Sequence, residues 1–539
     1  MKRSLLSLLA LIVLAGSLSA KPARRDAITL AQPDGTTLTA FLHGDAFFHY
    51  YTDTEGNMLQ QGEDGYYYAS PLPSAEQLAA RRMSNPRYAA QQQTVGGELN
   101  LAPRGLIILV SFSNLAFKTP VAEMDSMLNG QNYKRRYSFT YLGGRQVVTS
   151  SGSVRQYFQD NSTGQYNPVF DVVGPVTLSN KYSYYGQNNS QGNDMNPDEM
   201  IKEACELVDD QVDFSLYDNN GDGDVDFVYV MYAGYGEADG AGEDYVWPHN
   251  YKLSYSGTSC VVDGKTVDNY ACSNEINFTS KQHDGIGTFC HEFSHVLGLP
   301  DLYATDNSTH KTMGMWDIMD YGPYNNDGNT PPCYSAHERF YMGWLTPKVI
   351  NSACDVELHA LDEANSAIVL TSTGKHNLTG TSPNPTTYYM LENRQMNGWD
   401  EYLPGHGLLV TKISYSQYKW LYNTVNNTKI LMGVDIIEAD GLAPDYDKDD
   451  RTNGYFGKEN DAYPAGSDSF TKLSAYKVTN IREEDGLIYF QVNGGGEPLT
   501  VDALETEQLV SPVSRKIIRE GKILIEHNGV YYDILGNRQ

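Results

Sequence analysis

The sequence predicts an α+β fold, and three observations carry that reading. Continuous apolar runs at 105–114 (GLIILVSFSN) and 227–234 (FVYVMYAG) have the composition of strands buried on both faces. Residues 197–210 (PDEMIKEACELVDD) set apolar side chains at helical spacing with charges between them, which makes an amphipathic helix. Beyond Trp344 the chain turns β-rich, with AIVLTST, YYMLEN, GLLVTKI and ILMGVDIIEAD as strands of a second layer or domain.

At the N-terminus, Lys2 and Arg3 precede an apolar run from Leu5 to Ala15 and then small residues. This pattern reads as a secretory signal peptide over 1–20, cleaved after Ala20. The run is shorter than the ~18 residues of a membrane-spanning helix, so an exported, soluble chain is expected, at the cell surface, in the medium or in the periplasm. From 21 to 103, short alternating strands such as TTLTAFLHG and FFHYYTDTEG lead into a polar helical stretch and a Gly-Gly break. The segment reads as a pro-segment with a cleavable linker at 80–98, which carries Arg81, Arg82 and Arg87. A permanent accessory domain is the competing reading. The catalytic domain is expected over 104–350, a β-rich region over 351–494, and a tail of short strands over 495–539 that is weakly similar to outer-membrane sorting tails.

A formal charge of -28, from 67 acidic and 39 basic residues, repels phosphate backbones and anionic lipid, so nucleic acid is not an expected partner. Six cysteines in an exported chain allow up to three disulfides. Cys260 and Cys272 flank a hairpin-like VVDGKTVDNY, which makes them the first pair to expect bridged; six reduced, buried thiols are the alternative.

The chemistry concentrates in His291–Asp301, HEFSHVLGLPD. Residues four apart share a helix face, so His291 and His295 can address one zinc ion while Glu292 reaches the water bound to it. Gly298 can end the helix in the left-handed conformation, and the returning chain offers Asp301 as a third ligand. Downstream, GMWDIMDYG sets Met319 in a tight turn, as beneath the metal of metzincins. Together with SAHERFYMGWLTP, the stretch Ser150 to Leu178 and the stretch Tyr388 to Ile413, these motifs resemble the immune inhibitor A family of secreted bacterial metallopeptidases over roughly residues 104 to 470. The resemblance implies a metzincin-like zinc peptidase domain acting on proteins or peptides, with aspartate in the third ligand position.

In that reading zinc lowers the pKa of its water toward ~7 and Glu292 takes the proton as the water attacks a peptide carbonyl. Tyr321 and His406 are the guesses for oxyanion helpers, each as easily structural. A zinc hydrolase of a specialised glycoprotein or non-protein amide is one alternative; an exported binding or adhesion module with a structural metal is another. The second is disfavoured by a base beside the ligands.

A second cation is expected at Asp218, Asn220, Asp222, Asp224 and Asp226. These oxygens alternate through DNNGDGDVD with Gly223 in sixth place, as in an EF-hand-type calcium loop. Tyr229 stands at the twelfth position where the pattern has a bidentate Glu, so Asp213 or water would complete the shell.

Overall fold

The computed structural model describes residues 19–83, then 103–501 apart from 142, 191, 307 and 445–453, and the backbone of 515–519, 522–527 and 530–532. Most of the signal-peptide expectation and of the 80–98 linker therefore lies outside the described residues.

The architecture is α+β. Its centre is a six-stranded mixed sheet in the order Ser19–Ala20, His249–Lys252, Asn269–Asn274, Val228–Tyr232, Arg104–Ser111, Val169–Thr177. The last four strands run parallel, and the apolar runs of Arg104–Ser111 and Val228–Tyr232 at their middle are buried on both faces, as their composition requires, while the edge strand Val169–Thr177 is half exposed. His249–Lys252 is antiparallel to its neighbour and takes Ser19–Ala20 as an antiparallel edge partner, with Ala20 opposite His249.

Helix Gly287–Val296 lies on this sheet and is buried along its whole length. Phe289 and Phe293 anchor it against Phe170, Phe227 and Tyr229, with ring centroids 4.1 to 5.4 Å apart. Each such ring contributes about 1.5–3 kcal/mol by burial. A Cβ on Gly287 would stand 2.1 Å from the Pro323 carbonyl, so only glycine lets the helix start this close to that loop.

Residues 28–70 form a five-stranded antiparallel meander from Ile28–Ala31 to Tyr67–Ser70, followed by helix Ala75–Met83. Arg82 is buried and makes a two-pronged ion pair with Asp45 (2.9 and 2.6 Å). This corrects its placement in an exposed linker: the long aliphatic stem packs and the guanidinium finds a carboxylate, so Arg82 belongs to the docked unit. C-terminal to the catalytic region, a five-stranded sheet (Lys348–Val349 to Val434–Ile436) and a four-stranded sheet (Cys354–Leu358 with Val478–Glu484, Leu487–Val492 and Glu497–Val501) share a second core. The tail strands 515–519, 522–527 and 530–532 pair antiparallel.

All six cysteines are reduced and buried. The Cys260–Val262 hairpin turns at Asp263 and Gly264, both with positive φ, as the sequence suggests. The Cys260–Cys272 bridge does not form, because the hairpin belongs to a small separate sheet and turns Cys260 toward Cys205 of helix Pro197–Val208, while Cys272 faces His249 in the central sheet.

Candidate metal centre and its cleft

His291 and His295 project from one face of the buried helix, with ring centroids 4.7 Å apart. The Nδ1 of His291 lies 2.8 Å from the Ile318 carbonyl, and that of His295 lies 2.8 Å from the Leu299 carbonyl. Carbonyls only accept, so each ring proton sits on Nδ1 and each Nε2 presents a lone pair. At Gly298, φ is 98°, and the chain reverses there to bring Asp301 opposite the pair. The two Nε2 atoms are 3.2 Å apart, and Asp301 Oδ1 is 3.3 Å from each.

Three acceptors facing one another in the interior repel, which calls for a cation among them. A tetrahedral zinc with ligands at ~2.0–2.1 Å has ligand atoms about 3.3–3.4 Å apart, so the triangle matches that ion. Asp301 Oδ1 is buried without a hydrogen bond, whereas Oδ2 accepts from the Asn423 amide at 2.6 Å. Asn423 also accepts the Asp301 backbone N–H at 2.7 Å, so one side chain fixes both ends of the third ligand.

Glu292 also lies within 4.8 Å of the two imidazoles. The tighter triangle belongs to Asp301, and Glu292 is turned to a different partner: its Oε1 accepts the Lys21 backbone N–H at 2.8 Å, and its Oε2 accepts no hydrogen bond. Burial pushes its carboxyl up to about 8, against the pull of His291 and Lys21. Met319 is fully buried in the next turn, where its N–H donates to Asp317 (2.7 Å) and its carbonyl accepts from Leu302 (2.7 Å).

Sequence reasoning missed Tyr303, Asn423 and Lys21. The Tyr303 hydroxyl donates to the Ala20 carbonyl at 2.6 Å and lies 3.2 Å from Asp45. Its position two residues past Asp301 was the only local signal. Of the two helper guesses, Tyr321 packs with Phe456 and beneath Arg25, and His406 is half exposed and paired with Glu483 at 3.0 Å.

The Asp218–Asp226 loop holds its five residues together without drawing their carboxylates into a cluster of the kind formed at the histidines. Asp218 accepts from the Gly221 and Gly223 N–H groups and from Lys265 at 2.7 Å, and Asp226 accepts from Asn219. Burial, with Asp222 and Asp218 adding to it, raises the Asp226 carboxyl.

A glutamate beside two helix-borne histidines, with a carboxylate closing the triangle, is the kind of donor set that metallopeptidases use. Over residues 91–344 the chain is similar to the immune inhibitor A peptidase M6 catalytic domain. It is 26% identical over 294 residues to immune inhibitor A of Bacillus thuringiensis subsp. alesti, covering 48% of this chain and 42% of that protein. It is 29% identical over 217 residues to the pre-pro-metalloprotease PrtV of Vibrio cholerae serotype O1 (strain M66-2), covering 35% of this chain and 23% of PrtV. The chain thus spans less than half the length of these curated relatives. Among the described residues, no helix is long and apolar enough to cross a membrane.

Proposed function

We propose that the chain is an exported, zinc-dependent endopeptidase with a metzincin-like centre. His291, His295 and Asp301 would hold zinc over the Met319 turn, and the metal would supply an acidified water and polarise the substrate carbonyl. Glu292 takes the water's proton and hands it to the leaving amine. One observation carries this reading: the Ala20–Lys21 peptide bond is bracketed by the two groups such a reaction needs. Tyr303 donates to its carbonyl and Glu292 faces its nitrogen. Cleavage of a diverse peptide mixture, read by mass spectrometry, is expected to stop with a zinc chelator and return on adding zinc. Cleavage indifferent to chelation would sink the mechanism.

The same contacts support latency. The chain from Lys21 to Arg24, which export cleavage would leave in place, lies along the cleft: Trp247 donates to the Lys21 carbonyl at 2.9 Å, and Tyr324 to that of Pro22 at 2.6 Å. A cysteine switch is closed to this segment, since the first cysteine is Cys205. Blockage is by occupation instead, and export cleavage after Ala20 would leave the Lys21 α-ammonium on Glu292. The docked meander adds the His49–Glu237 ion pair at 3.2 Å. Burial opposes the imidazole's charge, but Glu237 raises it to about 9, so this contact persists at neutral pH. Mild trypsin treatment should therefore raise activity as the N-terminal fragment leaves. Equal specific activity before and after verified removal would make the segment an accessory domain.

The Asp218–Asp226 loop is proposed to take a structural calcium, supported by its alternating oxygens and by positive φ at Gly221 and Gly223. A ligand that binds only the folded state at 100 times its Kd adds roughly 2.7 kcal/mol, so the melting temperature should rise with calcium and Asp222→Ala should blunt the rise. Calcium-stripped protein that melts identically in millimolar calcium would exclude the site.

A further inference from the structure

Lys21 is among the most deeply buried lysines of the protein, with 2% of its surface exposed, and its backbone N–H donates to Glu292. Its ammonium donates to Asp239 Oδ1 at 3.2 Å and to Thr288 Oγ1 at 2.9 Å, and lies 4.3 Å from the centroid of the Tyr324 ring. Thr288 in turn donates to Asp284 at 3.0 Å. Asp239 and Asp284 are both buried, 1% and 5% exposed, and the second oxygen of Asp239 has no hydrogen-bond partner. Thr288 stands on the active-site helix itself, one turn before Glu292.

The arrangement is expensive without a cation. Two carboxylates out of water are stable as charges only when an ammonium or guanidinium is placed among them; burial, with Asp239 adding to it, raises the Asp284 carboxyl to about 6, and Lys21 opposes that rise. That cation comes from a segment that must leave for a substrate to enter. The pocket survives its departure, because Asp239, Asp284, Thr288 and Tyr324 all belong to the catalytic region. The register states what the pocket reads. Tyr303 holds the carbonyl of Ala20 and Glu292 faces the nitrogen of Lys21, so the residue whose side chain fills the pocket is the one that follows the bond set for cleavage.

We infer that this cleft selects polypeptides with a basic side chain, lysine above all, immediately after the cleaved bond, and that Asp239, with Asp284 and Thr288, is the determinant of that choice. The inference rests on the peptidase reading and assigns the substrate class of the same site. Antiparallel pairing to His249–Lys252 sets the substrate backbone, as strand addition does in other clefts, and the pocket supplies the side-chain discrimination. Beyond it, a cleft of about 690 Å³ continues past Arg24, Arg25, Tyr321 and Asp327 and has room for the residues that follow. A leucine in the Lys21 position would leave two buried carboxylates without their counter-charge, the kind of mismatch a polar site rejects most strongly.

The test uses the full chain, zinc-loaded, as wild type and as Lys21→Glu, which sets a carboxylate against Asp239 and should drive the segment out. Substrates are internally quenched peptides identical except for Lys, Arg, Leu or Glu after the scissile bond, with the cut bond verified by mass spectrometry. Lys21→Glu should cleave faster than wild type, and should prefer the lysine peptide over the leucine peptide by at least about tenfold in kcat/KM. Adding Asp239→Asn should shrink that ratio toward one. Should this variant fail to fold, the hexapeptide amide Lys-Pro-Ala-Arg-Arg-Asp serves instead: it should inhibit Lys21→Glu competitively, and its norleucine-for-lysine analogue should do so at least about tenfold less well. Zinc-dependent cleavage of the lysine and leucine peptides at equal efficiency overturns this inference and leaves the peptidase reading standing. Cleavage of no peptide by either form, with zinc present, overturns both.

Discussion

Glu292→Gln, in zinc-loaded protein freed of its N-terminal segment, should retain metal and fold but lose peptide hydrolysis by at least ~10²–10⁴-fold, the contribution of a positioned general base. Glutamine keeps the size of the side chain and the oxygen that faces Lys21, so packing around the fully buried Glu292 is preserved. It cannot take a proton from water and return it to a leaving amine. Metal content by elemental analysis separates this outcome from loss of the site: His295→Ala should lose both zinc and activity, Glu292→Gln activity alone. A Glu292→Gln protein that cleaves at the wild-type rate would remove the residue from the mechanism.

Arg394→Met should be the most destabilising of the single changes considered, by about 3–5 kcal/mol in a urea or thermal unfolding midpoint, because it leaves buried carboxylates without their partner. Arg394 is fully buried and makes two 2.7 Å bonds to Asp400 and one of 3.3 Å to Glu392. It also donates to the Cys333 carbonyl at 3.3 Å. Asp400 and Glu392 in turn accept the backbone N–H groups of Cys333 and Ala336, so the guanidinium ties the C-terminal sheet to the chain just past the Met319 turn. Burial pushes neighbouring Asp317 up to about 6, and Arg394 opposes that shift; Asp317 is also the residue that receives the Met319 N–H. Loss of the arginine should therefore weaken metal retention as well as fold. An unfolding midpoint within the error of wild type would show that the network is dispensable.

Local chemistry wrote much of the metal centre in the sequence. Helical periodicity puts His291 and His295 on one face, adjacency puts Glu292 beside them, and a glycine at 298 permits the turn that returns Asp301. All three signals act within eleven residues, so no tertiary information is needed to read them. The same holds for the buried strands at 104–111 and 228–232, whose apolar runs have one stable destination, and for the turn at Asp263–Gly264.

What remained hidden depends on contacts between residues far apart in the chain. Asn423, 122 residues from Asp301, fixes the third ligand; Lys21, 271 residues from Glu292, occupies the cleft; and Ala20 reaches Tyr303 across 283. No period or motif relates such pairs, because their meeting is set by how sheets and helices pack. The cysteines make the same point: sequence spacing favoured Cys260 with Cys272, but sheet membership turned Cys260 toward Cys205. The sequence by itself brought His291, His295, Glu292 and Asp301 to one place, since their geometry follows from one helix and one turn. Only the tertiary structure decided what lies beside Glu292, because that required two buried carboxylates and a lysine from separate parts of the chain to be brought to one place, where their charges balance together.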